Sequence, residues 1–337
     1  MATAAVLGAT GYLGGELLRV LSNHPDLEVT RAVSRSQAGA RLGDLAPQLA
    51  RFGDVVLTAD ASSVDTDLAF LAQPAGEAMT TVPGLLERGI RVVDLGADYR
   101  LKDPDEYARA YGRPHADVDH LAEAAYGLPE LFREEIRRAR LVANPGCYPT
   151  ATLLALAPLV RHHEVIGPVV VDAKSGTSGA GATPTPSSHH PEAAGTVLPY
   201  GTPTHRHVPE MASVLARVDP SAPPLVFVPH LVPLVRGLLC SIYATARPGT
   251  DPEAWSRLLY ESYRGSPFVS VGPVPRLPWA SGTNRCFLSV QSAGGAPVVF
   301  SALDNLGKGG ATQAVQNANL LLGFDEQTGL RLSGFGI

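Results

Sequence analysis

The chain has few cysteines, few lysines and no long apolar run, and the first and the last of these exclude classes of protein. Its three cysteines are too few and too scattered for a disulfide framework or a CxxC metal site. Lysine is almost absent while arginine is plentiful, which we attribute to genomic base composition rather than to function. A net charge of −5 without a basic run excludes an electrostatic footprint for nucleic acid.

The sequence also lacks the signs of membrane insertion and secretion. No apolar run reaches the roughly 18 residues that suggest a membrane span. The opening residues do not carry the basic segment of a secretory signal. With cysteines too few to form a disulfide framework, this pattern predicts a protein of the reducing cytoplasm that binds neither nucleic acid nor membrane.

The first third of the chain alternates strand-like and helix-like patterns. Strands joined by helices imply parallel pairing through βαβ units, and therefore a Rossmann-type α/β domain. Strands are predicted within residues 3–9, 27–34, 54–59, 66–74, 90–98 and 139–146. Helices are predicted within 11–25, 80–89 and 150–160.

The pattern then changes to longer strand signals with fewer helices, which predicts an α+β domain with a mostly antiparallel sheet. These signals lie within residues 167–176, 224–246 and 284–293. Residues 175–210 are polar and rich in Gly, Pro, Ser and Thr, and so long a loop is usually functional. A helix within 309–324 closes the chain. We predict a dinucleotide-binding domain of residues 1–146 with 309–337, and a catalytic and dimerisation domain of residues 147–308.

A glycine-rich turn joins the first predicted strand to the first helix. Gly8, Gly11 and Gly14 allow a tight turn and let the backbone approach a pyrophosphate at the helix N-terminus. The spacing departs from G-x-G-x-x-G by one residue, so the assignment as a dinucleotide loop also depends on its position between a strand and a helix. The alternative is a close-packed turn that holds no ligand.

The end of the second predicted strand bears on the choice of dinucleotide. NAD-specific folds tend to place an acidic residue there, to bind the ribose 2′-hydroxyl. This chain has Ser34, Arg35 and Ser36 at that point, and these suit a 2′-phosphate. We therefore predict NADP as the cofactor, with an ordinary exposed arginine as the alternative interpretation of Arg35.

Cys147 follows a Pro-Gly turn and precedes an apolar helix, with Pro149 in its first turn. A helix N-terminus favours an anion and lowers the pKa of a thiol, so Cys147 is a candidate nucleophile. Cys240 and Cys286 lie in strand patterns and are interpreted as core residues. A thiolate beside a nicotinamide site suggests acyl transfer to sulfur coupled to hydride transfer.

Seven motifs that run in order along nearly the whole chain resemble the N-acetyl-gamma-glutamyl-phosphate reductase family, relatives of aspartate-semialdehyde dehydrogenase. They are GATGYLGGELLR, DLGADYRLKD, YGLPEL, ANPGCYPTA, KSGTSGAG, HRHVPE and DNLGKGGATQAVQN. The resemblance implies NADPH-dependent reduction of N-acetyl-L-glutamyl 5-phosphate to the 5-semialdehyde and phosphate through a cysteine thioester, in arginine biosynthesis. It also implies a small-molecule acyl phosphate substrate and a homodimer or homotetramer.

Two other functions remain open at this point. One is the lysine-biosynthesis reductase of an aminoadipyl phosphate on a carrier protein, although this acidic chain shows no basic docking surface. The other is an NADP-binding redox sensor without turnover, in which Cys147 is the sensor thiol. A sensor would not need the HRHVPE segment or Arg100.

The resemblance assigns the catalytic roles. It implies that Cys147 is the nucleophile and that His207 is the general acid/base, with His205 as the fallback or a substrate contact. From the residues alone, the two histidines could also be a metal pair or simply solvated. Ligand partners at the right spacing are missing, so we predict no metal. Nearby His189 and His190 are interpreted as structural or substrate-loop residues.

The remaining predicted site residues fall into two groups. The cofactor group consists of Gly8, Thr10, Gly11, Tyr12, Leu13, Gly14, Ser34, Arg35, Ser36, Ser178, Gly179 and Asn305. The substrate group consists of Arg100, Asn144, Ser175, Gly176 and His205, with Arg100 implied to hold the substrate phosphate. A structural bridge from Arg100 to Asp98 or Asp103 is the alternative. Ala182 replaces the basic residue that we associate with relatives, which puts an ionic substrate contact there in doubt.

Overall fold

The computed structural model describes residues 1–202 and 204–334. The chain forms two compact units, which consist of Met1–Pro145 with Gly310–Arg331, and of Gly146–Gly309 with residues 332–334. The domain bounds given above stay a prediction, and residues 335–337 of the predicted dinucleotide-binding domain lie outside the described residues.

Thirteen strands and twelve α-helices make up the regular structure of the described residues. The strands are β1 (Ala2–Leu7), β2 (Leu27–Val33), β3 (Leu68–Leu71), β4 (Arg91–Asp94), β5 (Ala125–Tyr126), β6 (Leu141–Ala143), β7 (Val165–Gly176), β8 (Leu198–Pro199), β9 (Leu225–Val232), β10 (Leu238–Ala246), β11 (Val269–Val271), β12 (Cys286–Ala293) and β13 (Ala296–Leu303). The helices are α1 (Tyr12–Leu21), α2 (Leu42–Leu45), α3 (Ala78–Glu87), α4 (Pro104–Tyr111), α5 (Val118–Glu123), α6 (Pro129–Arg138), α7 (Cys147–Arg161), α8 (His190–Ala193), α9 (His207–Val218), α10 (Pro252–Ser262), α11 (Leu277–Ala280) and α12 (Thr312–Leu322).

The first unit holds a six-stranded sheet in the order β2-β1-β3-β4-β6-β5, and every pair in it is parallel. Its central strands are buried on both faces, which matches their continuous apolar sequence. Parallel strands end at one edge, so the turns that follow β1, β2, β3 and β4 share that edge. The predicted Rossmann-type α/β domain is confirmed.

The second unit holds a seven-stranded sheet in the order β11-β12-β13-β10-β7-β9-β8. Four of its six pairs are antiparallel, while β7 with β9 and β11 with β12 are parallel. Helix α7 packs against this sheet and is buried over almost its whole length, as its apolar sequence requires. The predicted α+β domain with a mostly antiparallel sheet is confirmed.

Three local predictions were wrong. Residues 54–59 form only two isolated bridges, from Val56 to one loop residue and from Thr58 to the last residue of β2, so no ladder extends. The run 224–246 splits into β9 and β10 around Gly237, whose φ of +113° interrupts the strand. The predicted loop 175–210 contains short helical turns, and α9 begins inside it at His207.

Cys240 and Cys286 are fully buried strand residues, which confirms their interpretation as core. Cys240 pairs with Ala173 of β7 and with Ser301 of β13, so it sits in the middle of the second sheet. Over the described residues, no helix is both long enough and apolar enough to cross a membrane.

Candidate active site

Cys147 is the first residue of α7, a helix of 15 residues. Gly146 is its N-cap in an extended conformation, and its carbonyl accepts hydrogen bonds from the Thr150 backbone and hydroxyl, both at 2.9 Å. Cys147 is partly exposed, unlike the two other cysteines. The position at a helix N-terminus favours the thiolate, which is the nucleophilic form.

His207 begins α9 and lies against the turn that precedes Cys147. A Cβ placed on Gly146 would be only 2.5 Å from His207 Nε2, so glycine is required for this approach. Sixty-one positions separate His207 from Gly146 in sequence, and tertiary packing alone brings them together. The arrangement sets an imidazole beside Gly146, the residue that precedes Cys147.

Glu210, one helical turn after His207 in α9, also holds the backbone turn at Gly146. Its side chain is almost fully buried, and its Oε1 accepts the backbone N–H of Gly146 at 2.9 Å. His207 and Glu210 are three positions apart on a helix, so they lie on one face. The sequence prediction missed Glu210, although its spacing from His207 in HRHVPE is a usable signal.

His205 has a different environment from His207. Its Nδ1 accepts the backbone N–H of His207 at 3.2 Å, and its ring packs edge-on against Tyr148, Tyr200 and Phe227. Burial, and then the charge of Arg206, lowers the pKa of His205 to about 4. His205 is therefore a neutral imidazole near pH 7, with Nδ1 engaged by the backbone.

Two buried tyrosines extend this aromatic cluster, and the sequence prediction missed both. The Tyr200 hydroxyl donates at 3.1 Å to the hydroxyl of Tyr148, the residue that follows Cys147. Burial raises the pKa of Tyr148 strongly and that of Tyr200 to about 12. Both phenols therefore stay protonated and neutral near pH 7.

The structure brings five of the predicted residues together at the end of β7. Asn305 Nδ2 donates to Ser178 Oγ at 2.8 Å, and Asn305 Oδ1 accepts the N–H of Gly237. A Cβ on Gly179 would be 3.3 Å from Ser175 Oγ and 3.6 Å from Asn305 Nδ2. Gly176 packs against the Val235 carbonyl, where a Cβ would lie at 2.7 Å.

A buried carboxylate fixes the segment that carries Asn305. Asp304 is fully buried, and it accepts hydrogen bonds from Arg236 Nε at 2.9 Å and from the N–H of Leu306 at 2.9 Å. The π-helical turn that follows contains Lys308, which is buried with its ammonium 5.7 Å from the centre of the Phe268 ring. The predicted site residue is thus held by partners that the sequence reasoning did not name.

The glycine turn of the first unit is tightly packed. Gly8 has a φ of +81°, and its Cβ would lie 2.3 Å from the Ala72 carbonyl oxygen. A Cβ on Gly14 would lie 2.2 Å from the Gly8 carbonyl oxygen, so α1 packs directly on the turn. Gly11 is the N-cap of α1, and no side chain of the described residues caps that end.

Hydroxyl groups line the turn after β2. Thr10 Oγ1 and Ser34 Oγ are 2.8 Å apart, and Ser34 Oγ is 3.5 Å from Ser36 Oγ. Arg35 is exposed and forms an ion pair with Glu77, the N-cap of α3. The first turn of α1 contains the two other predicted residues, Tyr12 and Leu13.

These features fit a dinucleotide. The α1 N-terminus opens at the carboxyl edge of the sheet, with its backbone N–H groups suited to a pyrophosphate. The hydroxyls and the guanidinium after β2 suit a second anionic group, and no carboxylate occupies residues 34–36. Across the described residues, no group of three or more His, Cys, Asp or Glu side chains could hold a metal ion.

Arg100 and Asn144 meet at the ends of β4 and β6. Arg100 Nε donates to the Asn144 carbonyl and Nη2 to the Leu95 carbonyl, both at 2.9 Å. Asn144 is buried, and its Oδ1 accepts from Asn317 Nδ2 at 3.0 Å. Its Nδ2 donates to the Gly310 carbonyl at 3.2 Å, so both ends of the Asn144 amide bond to protein.

The two carboxylates considered as partners of Arg100 accept hydrogen bonds from other groups. Asp98 is buried and accepts the N–H groups of Gly76 and Ala78 and the hydroxyl of Tyr107. Asp103 is the N-cap of α4, accepting the N–H of Asp105. Asp98 thereby fixes the start of α3.

Comparison with known proteins agrees with this architecture. The chain matches the family models "Semialdehyde dehydrogenase, NAD binding domain" over residues 3–139 and "Semialdehyde dehydrogenase, dimerisation domain" over residues 147–305. It is 44% identical to the N-acetyl-gamma-glutamyl-phosphate reductase of Methanopyrus kandleri, over 99% of each chain.

Solved structures with the same fold are aspartate semialdehyde dehydrogenases. That of Vibrio cholerae, complexed with ASA, has a TM-score of 0.72 at 20% identity, with 96% of this chain and 98% of the other covered. That of Candida albicans, with NADP, has a TM-score of 0.70 at 18% identity, covering 95% and 99%. By its sequence relatives and its family models, this chain is an oxidoreductase that belongs to the N-acetyl-gamma-glutamyl-phosphate reductase family.

Proposed function

We propose that this enzyme reduces N-acetyl-L-glutamyl 5-phosphate to the 5-semialdehyde with release of phosphate, with NADPH as reductant and a thioester on Cys147. The observation that carries the proposal is the Gly146 turn, which is held by Glu210 and covered by His207 directly before Cys147. The proposed substrate is the one that the names of the sequence relatives state.

Cys147 is the group that forms the covalent bond. Its thiolate attacks the carbonyl carbon of the acyl phosphate, and the carbon–oxygen bond to phosphate breaks. Phosphate leaves with the electron pair of that bond, so this step needs no external proton. The α7 N-terminus favours the thiolate before attack, and Thr150 keeps the first turn of α7 in place.

His207 is the general acid/base of this proposal. Its Nε2 lies against Gly146, the residue that precedes Cys147. We propose that it takes the thiol proton before attack. It then returns that proton to the oxyanion of the reduced thioester, which gives a thiohemiacetal hydroxyl. It removes the proton again when the carbon–sulfur bond breaks, so that the aldehyde leaves and the Cys147 thiolate is restored. His205, with its pKa of about 4 and its engaged Nδ1, is poorly suited to carry that proton.

NADPH, when bound, supplies the hydride that reduces the acyl group. The residues that would hold it are the first turn of α1 for the pyrophosphate, and Ser34, Arg35 and Ser36 for the 2′-phosphate. Asn305 and Ser178, fixed to each other in the second unit, are proposed cofactor contacts as well.

Arg100 is the proposed clamp for the substrate phosphate. Two backbone carbonyls orient its guanidinium, which is planar and permanently charged. Asn144 is proposed as a support for Arg100, because its backbone carbonyl accepts from Arg100 Nε while Gly310 and Asn317 hold its side-chain amide. Ser175 and Gly176 remain proposed substrate contacts at the end of β7.

The assembly and compartment are also proposals. The match to a dimerisation domain over residues 147–305 supports a homodimer or a homotetramer. The need for a reduced thiol at position 147 supports the cytoplasm. The division of the chain into a cofactor domain, 1–146 with 309–337, and a catalytic domain, 147–308, completes the proposed organisation.

The reverse reaction tests the substrate and the chemistry together. Purified enzyme is assayed for NADP reduction with N-acetylglutamate semialdehyde, with and without phosphate. We expect turnover that requires phosphate and disappears in Cys147→Ser. Turnover only on the aminoadipate analogue would contradict the proposed substrate and retain the chemistry. Tight NADP binding without turnover on either aldehyde would contradict the proposed reaction and favour a redox sensor.

A further inference from the structure

The Arg35–Glu77 ion pair crosses the edge of the sheet where the glycine turn lies. Arg35 follows β2, Glu77 follows β3, and β1 lies between these strands in the sheet. Neighbouring strands are about 4.8 Å apart, so β2 and β3 are separated by roughly twice that distance. The pair therefore spans the carboxyl end of β1, beside the turn that starts at Gly8.

The two partners differ in how firmly they are held. Glu77 is the N-cap residue of α3, a helix start that Asp98 fixes through the N–H groups of Gly76 and Ala78. The Arg35 side chain is 69% exposed and the Glu77 side chain 30% exposed. Arg35 is thus the mobile partner, and Glu77 is the anchored one.

Arg35 also stands next to the hydroxyls that suit a 2′-phosphate. Thr10 and Ser34 are 2.8 Å apart through their oxygens, and Ser36 completes the row. A 2′-phosphate bound there would offer Arg35 a doubly charged partner in place of a single carboxylate. The carboxylate of Glu77 would then face the bound phosphate without its cation, and like charges repel.

We propose that Glu77 is a specificity-determining residue that competes with the cofactor 2′-phosphate for Arg35 and so weakens the preference for NADP over NAD. The inference rests on the proposed function, since it assumes that the turn after β2 receives the adenosine end of the cofactor. NAD has no 2′-phosphate, so it binds with the Arg35–Glu77 pair intact. NADP binds only with that pair broken or shared.

The test is calorimetric titration of the full-length protein with NADP and with NAD, and with two fragments, adenosine 2′,5′-bisphosphate and adenosine 5′-monophosphate. Glu77→Gln keeps the shape of the side chain and removes its charge. An exposed pair contributes up to about 1 kcal/mol, which corresponds to about fivefold. We expect Glu77→Gln to tighten NADP and the bisphosphate about three- to fivefold and to leave NAD and the monophosphate within about twofold.

Two control variants make the result specific. Asp54→Asn breaks another exposed ion pair of the same unit, that of Arg41, and is expected to change no affinity. Arg35→Gln should remove the preference for the 2′-phosphate, and adding Glu77→Gln to it should then change nothing. Raising the salt concentration should shrink the effect of Glu77→Gln, because exposed charges are screened.

The outcomes separate this inference from the proposed function. Unchanged or weaker NADP binding in Glu77→Gln, or equal tightening of NADP and NAD, overturns the competition. If the unmodified protein prefers NADP and Arg35→Gln abolishes that preference, the proposed cofactor stands even when the competition fails. If the unmodified protein binds NAD as tightly as NADP, the proposed cofactor preference and the competition both fail.

Discussion

Two glycine turns that lead into helices are held by different kinds of contact. The turn at Gly8 packs against backbone atoms, because Gly14 of α1 lies on the Gly8 carbonyl and the Ala72 carbonyl that follows β3 lies on Gly8. The turn at Gly146 packs against two side chains of a distant helix, His207 and Glu210 of α9. Backbone packing needs glycines at the right spacing, and the sequence shows that spacing. Side-chain partners on a distant helix do not show in local spacing.

The largest effect is expected at Cys147, the proposed nucleophile, which lies in the second unit. Replacing Cys147 by Ser should lower turnover by about 10⁴-fold or more, because a serine hydroxyl is not ionised at neutral pH. Cofactor affinity should stay within about twofold, since the glycine turn of the first unit is untouched. Steady-state kinetics and calorimetric titration measure the two quantities. Cys286→Ser is the matched control, with its Sγ in contact with Ser301 Oγ, and should retain turnover.

A methyl group at Gly146 tests the distant half of the second turn. Gly146→Ala places a Cβ only 2.5 Å from the position of His207 Nε2, so the His207 ring must move. Displacements of this size cost about 10²-fold in turnover, which stopped-flow or steady-state assays can resolve. The control is Gly15→Ala in the other turn, where a Cβ meets nothing within 4 Å. Equal losses in both variants would remove the contrast.

Glu210 should matter less than the glycine it supports. Glu210→Ala leaves the Gly146 N–H without its acceptor, at a cost of about 1 to 3 kcal/mol, and we expect about a tenfold loss of turnover. Glu210→Gln keeps an acceptor oxygen and should recover most of that loss. A Gln variant as impaired as the Ala variant would mean that the negative charge, rather than the hydrogen bond, is what counts. Kinetics with circular-dichroism melting separates turnover from stability.

The smallest effect expected is a change in pH-dependent stability in the first unit. Burial, and then the charge of Asp98, raises the pKa of Asp94 to about 7. An unfolded aspartate titrates near pH 4, so between about pH 4 and 7 the folded chain binds a proton that the unfolded chain has lost. Stability from this group therefore falls as pH rises through that window.

Asp94→Asn should flatten that decline. The urea midpoint of unfolding, measured at several pH values from 5 to 8, reports the change. Asp54→Asn is the control, because Asp54 is exposed. A decline of the same steepness in Asp94→Asn would show that Asp94 does not carry it.

Much of the fold and part of the site could be predicted from local pattern. Most of the alternating elements of the first unit and a helix that begins at or just after Cys147 are correct, because helix and strand periodicity is a local property. Strand β13 was missed although Gly294 and Gly295, with φ of +59° and +85°, form a recognisable hairpin turn. The start of α9 was missed because its first turn has the polar, Pro-containing composition of a loop.

The partners in the site could not be predicted, because tertiary packing creates them. Asn305 donates to Ser178 across 127 positions, and Glu210 accepts from Gly146 across 64. The Arg35–Glu77 pair likewise needs the order of the strands, which no local pattern gives. The two glycine turns differ in the same way, because glycine spacing marks the turn at Gly8 whereas the side chains that hold Gly146 lie on α9.

The most direct test of the account is to look for the acyl group on Cys147. Enzyme is mixed with the acyl phosphate in the absence of reduced cofactor, quenched in acid, and examined by peptide mass spectrometry and phosphate release. We predict a burst of one phosphate per active site and a thioester on the Cys147 peptide that hydroxylamine removes. No adduct in an enzyme that turns over, or an adduct that persists in Cys147→Ser, would contradict the account.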